Sequence, residues 1–364
     1  MRLFVLLILF SSCTYNFPPH YGGMVPTSKN PGALSTVTYL PHNDISINSF
    51  YIHRFDGYPD SKVIGYSLPK DTVVGEFFQK ELGGELPFEY KKGRFYPGTV
   101  WISKNKLMDE VEITNLHWAE FLYYVKRDSS DLLFQQMEPD NSKLPREDYF
   151  TNPFFRFYPV VGITYEQAVT YCKWRSDIVN RNNKKEINSE GLQAPKPFIL
   201  EFRLPSETEW ETYAACGIDL SLYPYGVKFT TAEIKVNPKS ASYLKQKNAL
   251  EKPIKEIAND IKEFNKSKTK IIMFNVDREN EPYFLNSNTP FYVFDLPINN
   301  LGLYNMIGNV SELVREKGIT KGGSYKDNLS DCKIADKGRY TGAAPTVGFR
   351  TICEIKVRST RSRR

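Results

Sequence analysis

The sequence predicts an α+β fold with long irregular loops and few strands. Three observations lead there. Aromatic residues make up 14% of the 364-residue chain, 23 of them Tyr and 24 Phe, and side chains of that size pin loops by burying large areas while keeping a polar handle. Two segments, 113–125 and 165–178, repeat apolar residues at helical spacing. A set of short, ordered sequence blocks, densest in the last quarter of the chain, is the third.

At 41% hydrophobic and 25% charged, the chain holds enough apolar material for one large domain or two ordinary ones. Its net charge of +6 is modest, and no nucleic-acid module is expected.

The chain begins Met1-Arg2, runs apolar from Leu3 to Phe10, and continues Ser11-Ser12-Cys13. One cation, a short apolar core and small residues before a cysteine form a secretory signal, too short to span a membrane. The cysteine predicts a bacterial lipoprotein, with a signal over residues 1–12 and lipid on Cys13; a plain signal peptide with an incidental cysteine is the alternative. Thr14-Tyr15-Asn16 lacks an acidic run that would suggest surface display, so a periplasm-facing anchor in the outer membrane is expected.

Residues 13–92 are rich in turn formers (Pro18-Pro19, Gly22-Gly23, Pro31-Gly32, Gly57-Tyr58-Pro59) and read as a tether or arm. One or two short strands are expected in it between Ile45 and Tyr66. At the other end, residues 356–364 form a basic tail with Arg358, Arg361, Arg363 and Arg364. Such an end touches head groups or an acidic partner, or simply frays.

From Ile113 to Val125, Trp118, Phe121, Leu122 and Val125 fall on one helical face, capped by Thr114 or Asn115. From Tyr165 to Ile178, after the cap Thr164, the apolar residues are Ala168, Val169, Cys172 and Ile178. Cys172 on that stripe is expected to be an inert packing thiol. Residues 227–270 are rich in lysine, and Ile254, Ile257, Ile261 and Phe264 mark one face of an amphipathic helix. Two readings stand: a helix laid on the body by that stripe, or a partner-docking helix.

Seven blocks recur in a fixed order. They are Phe95-Tyr96-Pro97-Gly98-Thr99, Glu112-Ile113-Thr114-Asn115, Pro159-Val160-Val161-Gly162-Ile163-Thr164-Tyr165, Arg203-Leu204-Pro205-Ser206-Glu207-Thr208-Glu209-Trp210-Glu211, Asn305-Met306-Ile307-Gly308-Asn309-Val310-Ser311-Glu312, Lys321-Gly322-Gly323-Ser324-Tyr325 and Val347-Gly348-Phe349-Arg350. Together they resemble the formylglycine-generating, or sulfatase-modifying factor, family. The resemblance implies a C-type-lectin-like domain over residues 93–355, interrupted at about 227–270.

What the resemblance implies about chemistry depends on where this chain departs from it. The family's copper oxidases carry two cysteines after the Gly-Gly-Ser-Tyr block, where this chain has Asp327 and Cys332. Copper(I) needs two soft thiolates and a carboxylate is too hard to replace one, so no copper is expected and Ser324, Asp327 and Cys332 read as a vestigial active site. Ser324, similar to an active-site serine of the family, would then only hold the Gly-Gly turn. The resemblance also implies structural calcium, with side-chain ligands Asn305 and Glu312 and the carbonyls of Gly308 and Val310; the alternative is that Asn305 and Glu312 bond the turn backbone. By the same resemblance Cys216 and Cys353 form a disulfide. The iron-binding relatives need a histidine triad, whereas His20, His42, His53 and His117 are isolated here.

Non-catalytic lipid-anchored versions of this fold resemble the gliding-motility and type IX secretion lipoproteins. The function expected is therefore a scaffold in a cell-envelope complex, with outer-membrane-associated envelope proteins as partners and a ring as the assembly. A formylglycine-generating type of oxidase and a ligand- or glycan-binding module are the alternatives.

Overall fold

A computed structural model describes residues 99–103, 105–189, 198–278, 281–294, 298–299 and 301–357. The signal, Cys13, the whole 13–92 arm with the strands expected between Ile45 and Tyr66, and Arg358 to Arg364 lie outside these residues. Among those described, no helix is long and apolar enough to cross a membrane.

The centre is an antiparallel sheet of four strands in the order β1-β2-β10-β3, from Thr99–Ser103, Lys106–Asp109, Ile352–Val357 and Phe198–Arg203. The last strand of the domain thus lies between its second and third, with Cys353 opposite Leu107 on one side and Phe202 on the other. Helix α1 (Asn115–Asp128) packs with α2 (Asp131–Met137), and α3 (Tyr165–Ser189) lies against β3.

Helix α1 starts where the sequence places it. Thr114 accepts from the His117 amide, and His117 Nδ1 accepts in turn from the Thr114 amide at 3.2 Å, a reciprocal cap with His in the place usual for Glu. Helix α3 runs eleven residues past Ile178, beyond the apolar period. Part of the reason lies on its polar side. β3 is an edge strand, and α3 supplies the partners its edge lacks: Ser176 Oγ accepts from the Phe202 amide, while Asn180 accepts from the Leu200 amide and donates to its carbonyl. Between α1 and α3, Trp118 stacks on Tyr171 with ring centres 5.5 Å apart, and Phe349 meets both edge-on. Val169 falls beside the buried stripe and faces solvent.

A second four-stranded sheet, ordered β8-β7-β6-β9, joins Gly338–Arg339, Ile319–Lys321, Ser311–Leu313 and Val347–Gly348, with β6 and β9 parallel. Helix α4 (Glu207–Ala215) touches both sheets, Glu209 accepting from Lys106 of β2 and Trp210 donating to Glu312 of β6. Its start is fixed by the Ser206–Glu209 capping box, and Glu209 also receives both arms of Arg203 at 2.7 and 2.8 Å.

The insertion folds on itself. β4 (Thr231–Glu233) pairs with β5 (Lys270–Ile272), and α5 (Ala241–Asn248) packs against α6 (Ile254–Ser267). Of the predicted stripe, Ile257 and Ile261 are fully buried with Leu244, Ile271 and Phe284, and Phe264 packs at their edge. The partner-docking reading of Ile254, Ile257, Ile261 and Phe264 is thereby corrected. The chain itself covers the stripe, leaving only Ile254, 50% exposed, at its end.

Candidate functional site

Strand β7 delivers the Gly322-Gly323-Ser324 turn. Gly323 has φ +70° and a Cβ there would overlap Cys332 Sγ, so glycine is required twice over, for its backbone and for the thiol packed on it. Asp327 Oδ2 accepts from the Ser324 amide at 2.8 Å and from Ser324 Oγ at 2.6 Å. Asp327 is therefore a turn cap, and Ser324 holds the Gly-Gly turn through it. Cys332 is fully buried and its thiol donates to the Asn328 carbonyl at 3.2 Å. Burial first, then Asp327, Asp331 and Asp336, push that thiol up to about 12. The thiolate, the form that ligates metal or attacks, is thus disfavoured at neutral pH.

Four of the sequence blocks meet elsewhere, in a buried polar cluster. Both oxygens of Glu312, on β6, accept from Arg350: Nε at 2.9 and 2.8 Å, Nη2 at 2.6 Å. The Trp210 indole donates to Glu312 Oε2 at 2.8 Å. Remaining donors of Arg350 reach the carbonyls of Asp109, Glu110 and Tyr304. Beside it, Glu112 accepts from Asn309 at 2.8 Å and Asn305 at 3.3 Å. Burial pushes Glu112 up to about 7, with Arg350 opposing and Glu312 adding.

This cluster decides the fit of calcium. Glu312 already holds a buried guanidinium with both oxygens, and Asn305 points its amide NH2 at Glu112 and the Val293 carbonyl. Gly308 is pressed against the Asn275 carbonyl, where a Cβ would clash. A dication placed among Asn305, Gly308, Val310 and Glu312 would sit beside Arg350, so the residues as arranged do not fit the ion. Among the described residues no group of three His, Cys, Asp or Glu side chains is disposed to hold a metal.

The Cys216–Cys353 bridge is likewise corrected: all four described cysteines are free and buried. Cys216 ends α4 in a left-handed conformation and Cys353 stands in mid-sheet; each packs as a small apolar side chain in the same core cluster. Cys172 is an unreactive packing thiol, pushed up to about 12 by burial. His117 is a core residue, pushed down to about 3 by burial and then by Arg175.

A second buried ion pair escaped the sequence reading. Arg175 Nη1 binds both oxygens of Asp109 at 2.8 and 2.9 Å and Thr351 Oγ1 at 2.7 Å. The signal was available, since Arg175 continues the buried stripe of Ala168 and Tyr171 at helical spacing, and a charge on a buried stripe needs a partner.

The model of the FGE-sulfatase family, described as the sulfatase-modifying factor enzyme 1-like domain, matches residues 79–355. The chain belongs to that family. Among solved structures, CarF is 17% identical over 68% of this chain and 86% of its own (TM-score 0.40). PvdO from Pseudomonas aeruginosa is 15% identical over 68% and 80% (TM-score 0.38). Treponema denticola variable protein 1 is 15% identical over 68% and 84% (TM-score 0.35). No curated protein matches. In this FGE-sulfatase domain, then, the family blocks build a structural cluster around Glu312 and Arg350, while the Ser324 turn carries a single shielded thiol.

Proposed function

We propose that this chain is a non-catalytic member of the FGE-sulfatase family, lipid-anchored through Cys13 at the periplasmic face of the outer membrane, that serves as a structural component of a cell-envelope complex. The gliding-motility and type IX secretion machineries are the class of complex meant, with envelope proteins as partners and a ring as the assembly. The observation that carries the reading is Asp327. A residue that caps the Ser324 turn through two hydrogen bonds is committed to backbone geometry, and its neighbour Cys332 is a buried thiol held against Gly323. Neither is disposed as a soft, exposed ligand.

The deciding comparison is Cys332→Ser in a secretion or motility assay, with folding checked by circular dichroism, alongside copper titration and a thiol-oxidation assay on a sulfatase-type peptide. Full biological activity in a folded Cys332→Ser protein, with no copper-dependent oxidation by the wild type, is expected. Loss of activity in the folded variant, or copper-dependent oxidation, would restore the oxidase reading. Affinity purification from the native envelope names the partners. Saturable binding on a glycan array with no protein partner would favour a binding module instead.

A further inference from the structure

We propose that the outer face of the insertion is a polycationic surface that binds the anionic headgroup layer of a lipid bilayer. The proposal rests on the membrane-anchored reading above and adds to it a second, electrostatic contact that orients the body.

Charge distribution is the first observation. Residues 227–270 hold eleven lysines and no arginine against five acidic residues, a net +6 equal to that of the whole chain. The rest of the protein is therefore electrically balanced, and its excess charge sits in one folded unit.

Placement is the second. Ile257 and Ile261 turn the apolar side of α6 into the protein. Lys255, Asn259, Lys262 and Lys266 recur at steps of four, three and four residues and are exposed, which places them as a row on the opposite side of the helix. Lys268 and Lys270, just past the helix, and Lys235, beyond β4, are exposed as well. Lys252 and Lys266 form ion pairs with Asp260 and Glu263; these carboxylates and the exposed Glu256 offset part of the charge, and the unit as a whole keeps its net excess of lysine.

The chemistry of the face selects its partner. Protein interfaces enrich aromatic residues and arginine and deplete lysine, and they concentrate affinity in buried aromatic or Arg anchors. The row on α6 has neither. Lysine is a hydrated point charge on a flexible stem, suited to a laterally mobile layer of phosphates that demands no fixed geometry. Because the apolar stripe is used internally, attachment is electrostatic, without insertion into the acyl layer.

The experiment uses the full chain carrying Cys13→Ser, so that no acyl group contributes, and measures co-sedimentation with vesicles of phosphatidylcholine alone or mixed with phosphatidylglycerol. Binding is expected only to the mixed vesicles and is reversed by salt. Lys255→Gln/Lys262→Gln/Lys268→Gln/Lys270→Gln should weaken it at least about tenfold, since each lysine near an anionic surface contributes about fivefold. The corresponding fourfold Lys→Arg protein should bind like wild type, as should Arg358→Gln/Arg361→Gln/Arg363→Gln/Arg364→Gln. No preference for anionic vesicles, an unaffected glutamine variant of the insertion, or a loss that follows the tail would each overturn the proposal. Failure of the anchor is read separately, by fractionation of Cys13→Ser cells, and leaves the vesicle result untouched.

Discussion

Arg350 grips both oxygens of Glu312 with Nε and Nη2 at 2.6 to 2.9 Å, and neither side chain is more than 1% exposed. Both come from family blocks, and Trp210 from a third closes the ring. Removing one partner leaves the other as a buried, uncompensated charge. Glu312→Ala or Arg350→Met should therefore each lower stability by about 3–5 kcal/mol, and the pair Glu312→Leu/Arg350→Met by less than the sum. Urea denaturation measures both; additive losses would mean the pair is not coupled.

The same contact bears on calcium. With Glu312 neutralised by Arg350, adding calcium or a chelator should leave the melting temperature of the wild type unchanged, because a ligand stabilises only a fold that binds it. A chelator-sensitive shift abolished by Glu312→Ala would mean that Arg350 yields to the ion.

Glu112 makes stability depend on pH. Its carboxyl ionises at about 7 in the fold against 4.5 for an ordinary Glu, because of burial first and the nearby Glu312 charge, with Arg350 partly offsetting. A raised folded value means the fold holds the proton longer than the unfolded chain, so the contribution is present below 4.5 and is lost as pH rises through 7. His117 acts in the opposite sense, its contribution present above 6.5 and lost as pH falls toward 3. Glu112→Gln removes the first effect alone. The melting temperature of that variant relative to wild type should climb from pH 5 to pH 8; a constant difference would show that Glu112 does not titrate in this range.

Gly323 and Cys332 should be coupled in mutation. Gly323→Ala meets two obstacles, a left-handed backbone and the Cys332 sulfur. The first costs about 1–2 kcal/mol for an L-residue, and the second adds overpacking of about 1–3 kcal/mol. Gly323→Ala/Cys332→Ala should regain the share of the second part that the sulfur causes and keep the first, the Cys332 Cβ remaining 2.9 Å away. Were the double variant no more stable than Gly323→Ala, the sulfur would not be the obstruction.

Helix identity was legible where apolar period and cap coincided: Thr114 with Trp118, Phe121 and Leu122 for α1, and Thr164 with Ala168 and Cys172 for α3. The end of α3 was not, because the residues past Ile178 follow no sustained apolar period, and the polar Asn180 among them bonds Leu200 of the edge strand β3. Likewise the stripe of α6 was visible, while what covers Ile257 was not. Local spacing says that a face is apolar but not which part of the chain returns to bury it.

By itself the sequence determined membership of the fold, the two main helices and the departure at Asp327, since each is written in contiguous residues. Tertiary structure alone decided what the polar residues of those blocks do. Whether Glu312 faces a metal or a guanidinium depends on Arg350, 38 positions along the chain and brought beside it by the parallel pairing of β6 with β9. Whether Cys216 and Cys353 join or merely pack depends on their placement in one core. Charges and thiols act over a few ångströms, and only the folded chain sets those distances.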